Sequence, residues 1–305
     1  MMINNTETPK RPVYSISFII VLLMLVTGIA GCEKEIEIDV DPSKPVLVVE
    51  ASINQFSATL NYVFITSSID YFKPDLTLGG IKGAQVYIIE GVVNGTDTTY
   101  PDNNRFRMFG LGEIPFADSL LPVISGIYYN PYFNGKENTV YKLDITLPDG
   151  RKVQGYTHIP KVVPVTDVYY EFRGAPDGEG KRDAYFSFDF TDPMEQNNYR
   201  LALKRGRDSL AIGWGNADTY RTFDDAIANG ANRTYPFVRA FKEEDTLNLY
   251  FSSIGRKEFL FWQSFGSASN SGNPFSTPAI LASNITGATG TFTGYAVSFR
   301  QIIFK

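Results

Sequence analysis

Apolar side chains recur at every second position along much of this chain. Between Thr139 and Ile159, Tyr141, Leu143, Ile145 and Leu147 alternate with Lys142, Asp144 and Thr146. Pro148-Asp149-Gly150 interrupts the run and Lys152 to His158 returns, which predicts a β-hairpin around an Asp-Gly turn. The same period places Ala184, Phe186, Phe188 and Phe190 on one face of a strand. Tyr199, Leu201 and Leu203 follow it, as do Leu247, Leu249 and Phe251. Val46 to Ile53, Leu60 to Ile69, Ala84 to Ile89 and Thr166 to Phe172 read as further strands, and Gly290 to Phe304 as a closing one. One segment breaks the pattern. Phe259, Leu260, Trp262 and Phe265 are spaced as on a helix, which predicts one near 256–267.

Many short strands, frequent glycine and a single helix predict a mainly β chain of two antiparallel β-sandwich units, Ig-like or transthyretin-like, the second carrying the helix. Pro160 and Pro164 mark the division. The expected organisation is an N-terminal β-sandwich over 45–162 and a β-rich C-terminal domain over 163–305.

The first residues belong to neither unit. Lys10 and Arg11 precede an apolar run from Ile16 to Val26, and small residues lead to Ile29-Ala30-Gly31-Cys32. The run is short for a bilayer span and ends in charged residues, so 1–31 reads as an export signal. The four residues ending in Cys32 match a lipobox, whose small side chains admit the peptidase that cleaves before a diacylated cysteine. Several acyl chains on one residue hold a membrane firmly where one would not. The membrane is therefore an expected partner, through a lipid on Cys32.

Cys32 is the only cysteine, so disulfides, thiolate metal sites and cysteine nucleophiles are excluded. Residues 32–44 read as a tether, because the charges of Glu33, Lys34, Glu35 and Glu37 cannot bury a core. Acidic residues directly after a lipidated cysteine also resemble the signal that sends Bacteroidota lipoproteins to the cell surface. The expected location is the outer membrane, facing the cell exterior. A net charge of −5 with no basic block offers nothing for nucleic acid.

Chemistry is sparse. His158 is the only histidine; it cannot build a zinc site alone, and no Gly-x-Ser-x-Gly elbow accompanies it. It reads as a satisfied strand histidine. Asp189 with Asp192, Asp224 with Asp225, and Glu243 with Glu244 are the paired carboxylates that a hydrolase would need. Each lies beside turn or loop residues, where acids are solvated. No cofactor and no metal are expected, and the chain reads as non-enzymatic. Aromatic residues are the better binding feature. Tyr128, Tyr129, Tyr132 and Phe133 lie among Asn and Pro, and Trp214 and Tyr220 lie in a second polar segment. Exposed, these rings would stack on a glycan or anchor a peptide; folded back, they would cover the cores.

Several motifs resemble one family. Pro45-Val46-Leu47-Val48-Val49-Glu50 follows the tether, and Gly80-Ile81-Lys82-Gly83-Ala84-Gln85-Val86 enters the third strand. The hairpin from Tyr141 to Thr157 ends in Ile159-Pro160. Gly272-Asn273-Pro274-Phe275-Ser276 continues to Ser283-Asn284-Ile285, Gly287, Gly290, Phe292, Gly294 and Tyr295. Together they resemble the Bacteroidota lipoproteins of domain of unknown function 4249. Ala288 and Thr289 stand where members commonly carry glycines. The resemblance implies an outer-membrane lipoprotein, often encoded near a TonB-dependent transporter, and carries over no catalytic residues; the expected role is that of an accessory or ligand-capture partner of such a transporter. The glycines of the last motif suit tight turns or close backbone approach, so its expected role is structural.

Overall fold

The computed structural model describes residues 45–68, 79–113, 126–206, 219–226, 229–269 and 280–305. Lys44–Lys305 form one compact unit. The fold is mainly β. The first half supplies β1 (Leu47–Asn54), β2 (Tyr62–Ser67), β3 (Gln85–Glu90), the small hairpin β4 (Val92–Asn94) and β5 (Asp97–Thr99), and β6 (Arg105–Gly110). It continues with β7 (Ile127–Tyr129), β8 (Thr139–Thr146) and β9 (Lys152–Ile159). The second half supplies β10 (Val165–Arg173), β11 (Asp183–Thr191), β12 (Asn198–Arg205), β13 (Thr219–Asp224), β14 (Asn232–Lys242) and β15 (Thr246–Ile254). A helix, α1 (Arg256–Ser269), precedes β16 (Ile285–Thr286) and β17 (Thr289–Ile303). Among the described residues no helix is long and apolar enough to cross a membrane.

The alternation at 141–147 places Tyr141, Leu143 and Ile145 wholly out of solvent on β8. The loop after it closes as predicted, with Gly150 at φ +86°, Gly150 N–H donating to Leu147 O, and Thr146 opposite Lys152. Twelve strands form one sheet in the order β13-β12-β15-β17-β1-β2-β7-β6-β3-β8-β9-β16, and β10-β11-β14 form a second. Apolar faces gather in two clusters. One joins Val49, Val63, Val86, Leu143 and Val153; the other joins Phe186, Phe188, Leu201, Leu249 and Phe251. Fully burying one such side chain contributes about 1.5–3 kcal/mol, so these clusters dominate stability.

The chain's last strand serves both clusters. Phe292 and Ala296 of β17 enter the first, whereas Ile302 near its far end and Phe304 just beyond it enter the second. β17 pairs antiparallel with β15 and parallel with β1, from Val48 opposite Thr289 to Asn54 opposite Tyr295. Residues from Ile285 onward, expected to belong to the C-terminal domain, therefore complete the N-terminal core as well. Alternation sets which face a residue takes but leaves strand partners open.

The recurring C-terminal motif has a structural explanation. Ser283 Oγ donates to Gly290 O at 2.8 Å and accepts Gly290 N–H at 3.2 Å. Asn284 accepts the Phe292 N–H and donates to Phe292 O, both at 2.8 Å. A Cβ on Gly290 would lie 1.8 Å from Val49 O, and one on Gly294 would lie 2.3 Å from His158 O. Both glycines let neighbouring backbones approach β17 more closely than any side chain permits. Gly272 to Ser276 lie outside the described residues.

Candidate functional site

The expected contact residues separate. Cys32, Glu33, Lys34, Glu35, Glu37 and Trp214 lie outside the described residues. Tyr128 and Phe133 are 1% exposed and belong to the first core. Tyr128 Oη accepts the Ala84 N–H and donates to Ile81 O, each at 2.9 Å, while Phe133 packs against Phe106 and edge-on to Tyr141. These two residues are thus corrected from ligand contacts to core residues: β7 points Tyr128 inward, and the turn after it, closed by Phe133 N–H on Asn130 O, folds Phe133 back. Tyr129 is half-buried opposite Tyr62, and burial raises its hydroxyl above the ordinary value. Tyr132 is 93% exposed. Tyr220 is partly exposed with the Arg200 guanidinium 4.8 Å above its ring, and that guanidinium stacks 3.6 Å from Trp262.

The carboxylates expected as pairs hold structure. Asp189 accepts from Tyr169 and Thr234, and Asp224 pairs with Arg256 at 3.0 Å. Asp192 is buried and accepts from the Tyr199 hydroxyl and, at 3.2 Å, from Gly230 N–H. Burial and Asp192 raise the Tyr199 hydroxyl well above its ordinary value. Asp225 accepts the Asn197 N–H at 2.6 Å. Glu243 pairs with Arg182, and Glu244 with Lys181. Among the described residues, no three His, Cys, Asp or Glu side chains come together as a metal set.

Concave surface lies elsewhere among the described residues, where the outward face of β9 meets the start of α1. One hollow of ≈ 650 Å³ lies between the end of β9, the β11–β12 loop and the end of β15. His158, expected to be satisfied within its strand, is instead exposed and lines this hollow. Its neighbours include Lys161, Glu195, Gln196, Asn198 and Arg256. Arg256 is held in place by Asp224 and by Asn198 Oδ1, each at 3.0 Å. Ser253 also lines the hollow; it is 2% exposed, and its Oγ has no hydrogen-bond partner. A second hollow of ≈ 440 Å³ lies between Tyr156, Lys257, Leu260 and Asn284. Tyr156 is 47% exposed and rests against Tyr100, centroids 5.5 Å apart.

A buried carboxyl sits behind this surface. Glu258, in the first turn of α1, is 3% exposed. Its Oε1 accepts from Thr157 Oγ1 at 2.8 Å and Asn284 Nδ2 at 3.1 Å, and Thr157 in turn accepts Gly294 N–H at 3.0 Å. Burial pushes the carboxyl above its ordinary pKa, against the opposing effects of its own N–H, Thr157, His158 and Asn284. Alternation in 152–159 marks Tyr156 and His158 as outward-facing; nothing local to β9 signals that α1 closes over it.

The family described as domain of unknown function 4249 (DUF4249) matches residues 33–301. The chain belongs to this family. No curated protein matches it. Among solved structures, the DUF4249 chain is similar to a DUF3823 family protein from Bacteroides uniformis, with 11% identity and a TM-score of 0.23. That similarity covers 86% of this chain and 100% of the other.

Proposed function

We propose that this DUF4249 chain is a lipid-anchored, non-enzymatic protein of the outer membrane, facing the cell exterior, that captures a ligand beside a TonB-dependent transporter. The observation that carries the reading is the lipobox ending at Cys32, with the family match beginning at the next residue, Glu33. The hollows along β9 and α1 provide the concave polar surface that ligand capture requires.

Growth with an alkyne-tagged fatty acid tests the anchor: label on the wild type and none on Cys32→Ala is expected. Protease treatment of intact cells tests the outward face, and co-purification from native membranes tests the transporter. An unlabelled wild type, or recovery without any barrel partner under conditions that retain known complexes, would overturn the corresponding part.

A further inference from the structure

We propose that the two hollows form one groove that binds an acidic oligosaccharide, with a sugar ring on Tyr156 and a uronate carboxylate at the start of α1. This rests on the reading of the chain as a ligand-capturing protein and names the ligand class. The two hollows draw on the same strand and the same helix end. Tyr156 lines one and His158 the other, two residues apart on one face of β9, or about 7 Å. Across from them, Lys257 lines the first of these and Arg256 the second.

Charge selects the ligand's sign. In a chain of net charge −5, this groove sets Lys161, Arg256 and Lys257 against one lining acid, Glu195. Arg256 is already paired with Asp224, but Lys161 and Lys257 enter no ion pair among the described residues. The amino end of a fourteen-residue helix adds positive potential at the same place. Gly255 lets the chain pass close: a Cβ there would lie 2.9 Å from His158 Cε1 and 2.3 Å from Glu258 Oε2.

Polar lining selects a hydroxylated ligand. Gln196 offers an amide that both donates and accepts, as sugar hydroxyls do, while the buried Asn198 holds Arg256 in place through its Oδ1. Ser253, another lining residue, keeps a buried Oγ without a hydrogen-bond partner, an arrangement that is costly. The exposed Tyr156 ring, buttressed by Tyr100, supplies a flat face of the kind sugars stack on. An acidic peptide would satisfy the cations but has no use for that face.

The test is calorimetric titration of the mature chain carrying Cys32→Ala with an oligogalacturonate, a neutral cello-oligosaccharide and a poly-glutamate peptide. Binding of the oligogalacturonate alone is expected, weakening as salt rises. Tyr156→Ala should weaken it roughly tenfold and Lys257→Gln roughly threefold at low salt, whereas Tyr132→Ala should leave it unchanged. Circular dichroism confirms that each variant is folded. Absence of oligogalacturonate binding, equal binding of poly-glutamate, or affinity unmoved by both groove substitutions would overturn the proposal. Anchoring does not enter this assay, so its failure is distinct from a loss of lipid label on Cys32.

Discussion

Thr157→Val exchanges a buried hydroxyl for a methyl group of the same shape, and the structure sets what that costs. Thr157 is 7% exposed and stands between two partners. Its Oγ1 accepts the Gly294 N–H at 3.0 Å and donates to Glu258 Oε1 at 2.8 Å. Valine fills the space, so no cavity term arises. It leaves the Gly294 N–H without this acceptor, at about 1–3 kcal/mol, and removes a hydrogen bond to a carboxyl worth about 1.5–3 kcal/mol. The higher strand preference of valine returns under about 1 kcal/mol. A net loss of about 3 kcal/mol is expected from urea unfolding followed by far-ultraviolet circular dichroism. The double variant with Glu258→Gln should show a coupling above about 0.5 kcal/mol, because the two side chains share a bond. A loss below about 1 kcal/mol would refute the view that this network ties β9 to β17 and α1.

Gly290→Ala places a Cβ 1.8 Å from Val49 O at a φ of +144°, so the parallel β1–β17 pairing must open. A loss above about 3 kcal/mol, or no soluble protein, is expected in expression and urea assays, while Gly112→Ala, with nothing within 4 Å, should change stability by less than about 1 kcal/mol. Glu258 binds its proton more tightly in the folded chain than in the unfolded one. Its contribution is therefore full below the ordinary glutamate pKa of 4.5 and is lost as pH rises through the raised folded value. Relative to wild type, Glu258→Gln should gain stability in urea titrations as pH rises above the ordinary glutamate range; a difference independent of pH would contradict this. Tyr128→Phe removes the hydroxyl shared by Ala84 and Ile81 and should cost about 1–2 kcal/mol in the same assay. Tyr132→Ala, at a fully solvated ring, should stay within about 0.5 kcal/mol of wild type.

Period-two alternation made most of the strands legible from residues alone. Val46 to Ile53, Ala84 to Ile89, Ala184 to Phe190 and the hairpin from Thr139 to Ile159 all recur as strands within a residue or two. The helix is legible because Phe259 and Trp262 fall on one helical face, and α1 does span Arg256–Ser269. Two features were not legible for a physical reason. A closing strand could be read near Gly290, but its parallel partner β1 lies more than two hundred residues earlier, and alternation carries no information about neighbours. The aromatic run from Tyr128 to Phe133 sits in Gly/Asn/Pro context, which serves a loop and a short strand with a tight turn equally well. In the fold it divides, with Tyr128 and Phe133 in the core and Tyr132 in solvent.

The groove shows how a site can be invisible in each segment that builds it. On β9, alternation marks only that Tyr156 and His158 face away from Val153, Thr157 and Ile159. On α1, the first turn shows three charged residues in succession, Arg256, Lys257 and Glu258. What joins them is a network that no local pattern encodes. Asn284 fastens Glu258 to Phe292, and Thr157 fastens the same carboxyl to Gly294. The motif residue Asn284 lines the second hollow while Gly294 is absent from both linings, and together they hold the two walls at a set spacing. Walls fixed in this way lose little freedom when a ligand arrives, so less of the contact energy is spent on ordering. The C-terminal motif and the groove then have one physical role between them: the first sets the distance between β9 and α1, and the second uses it.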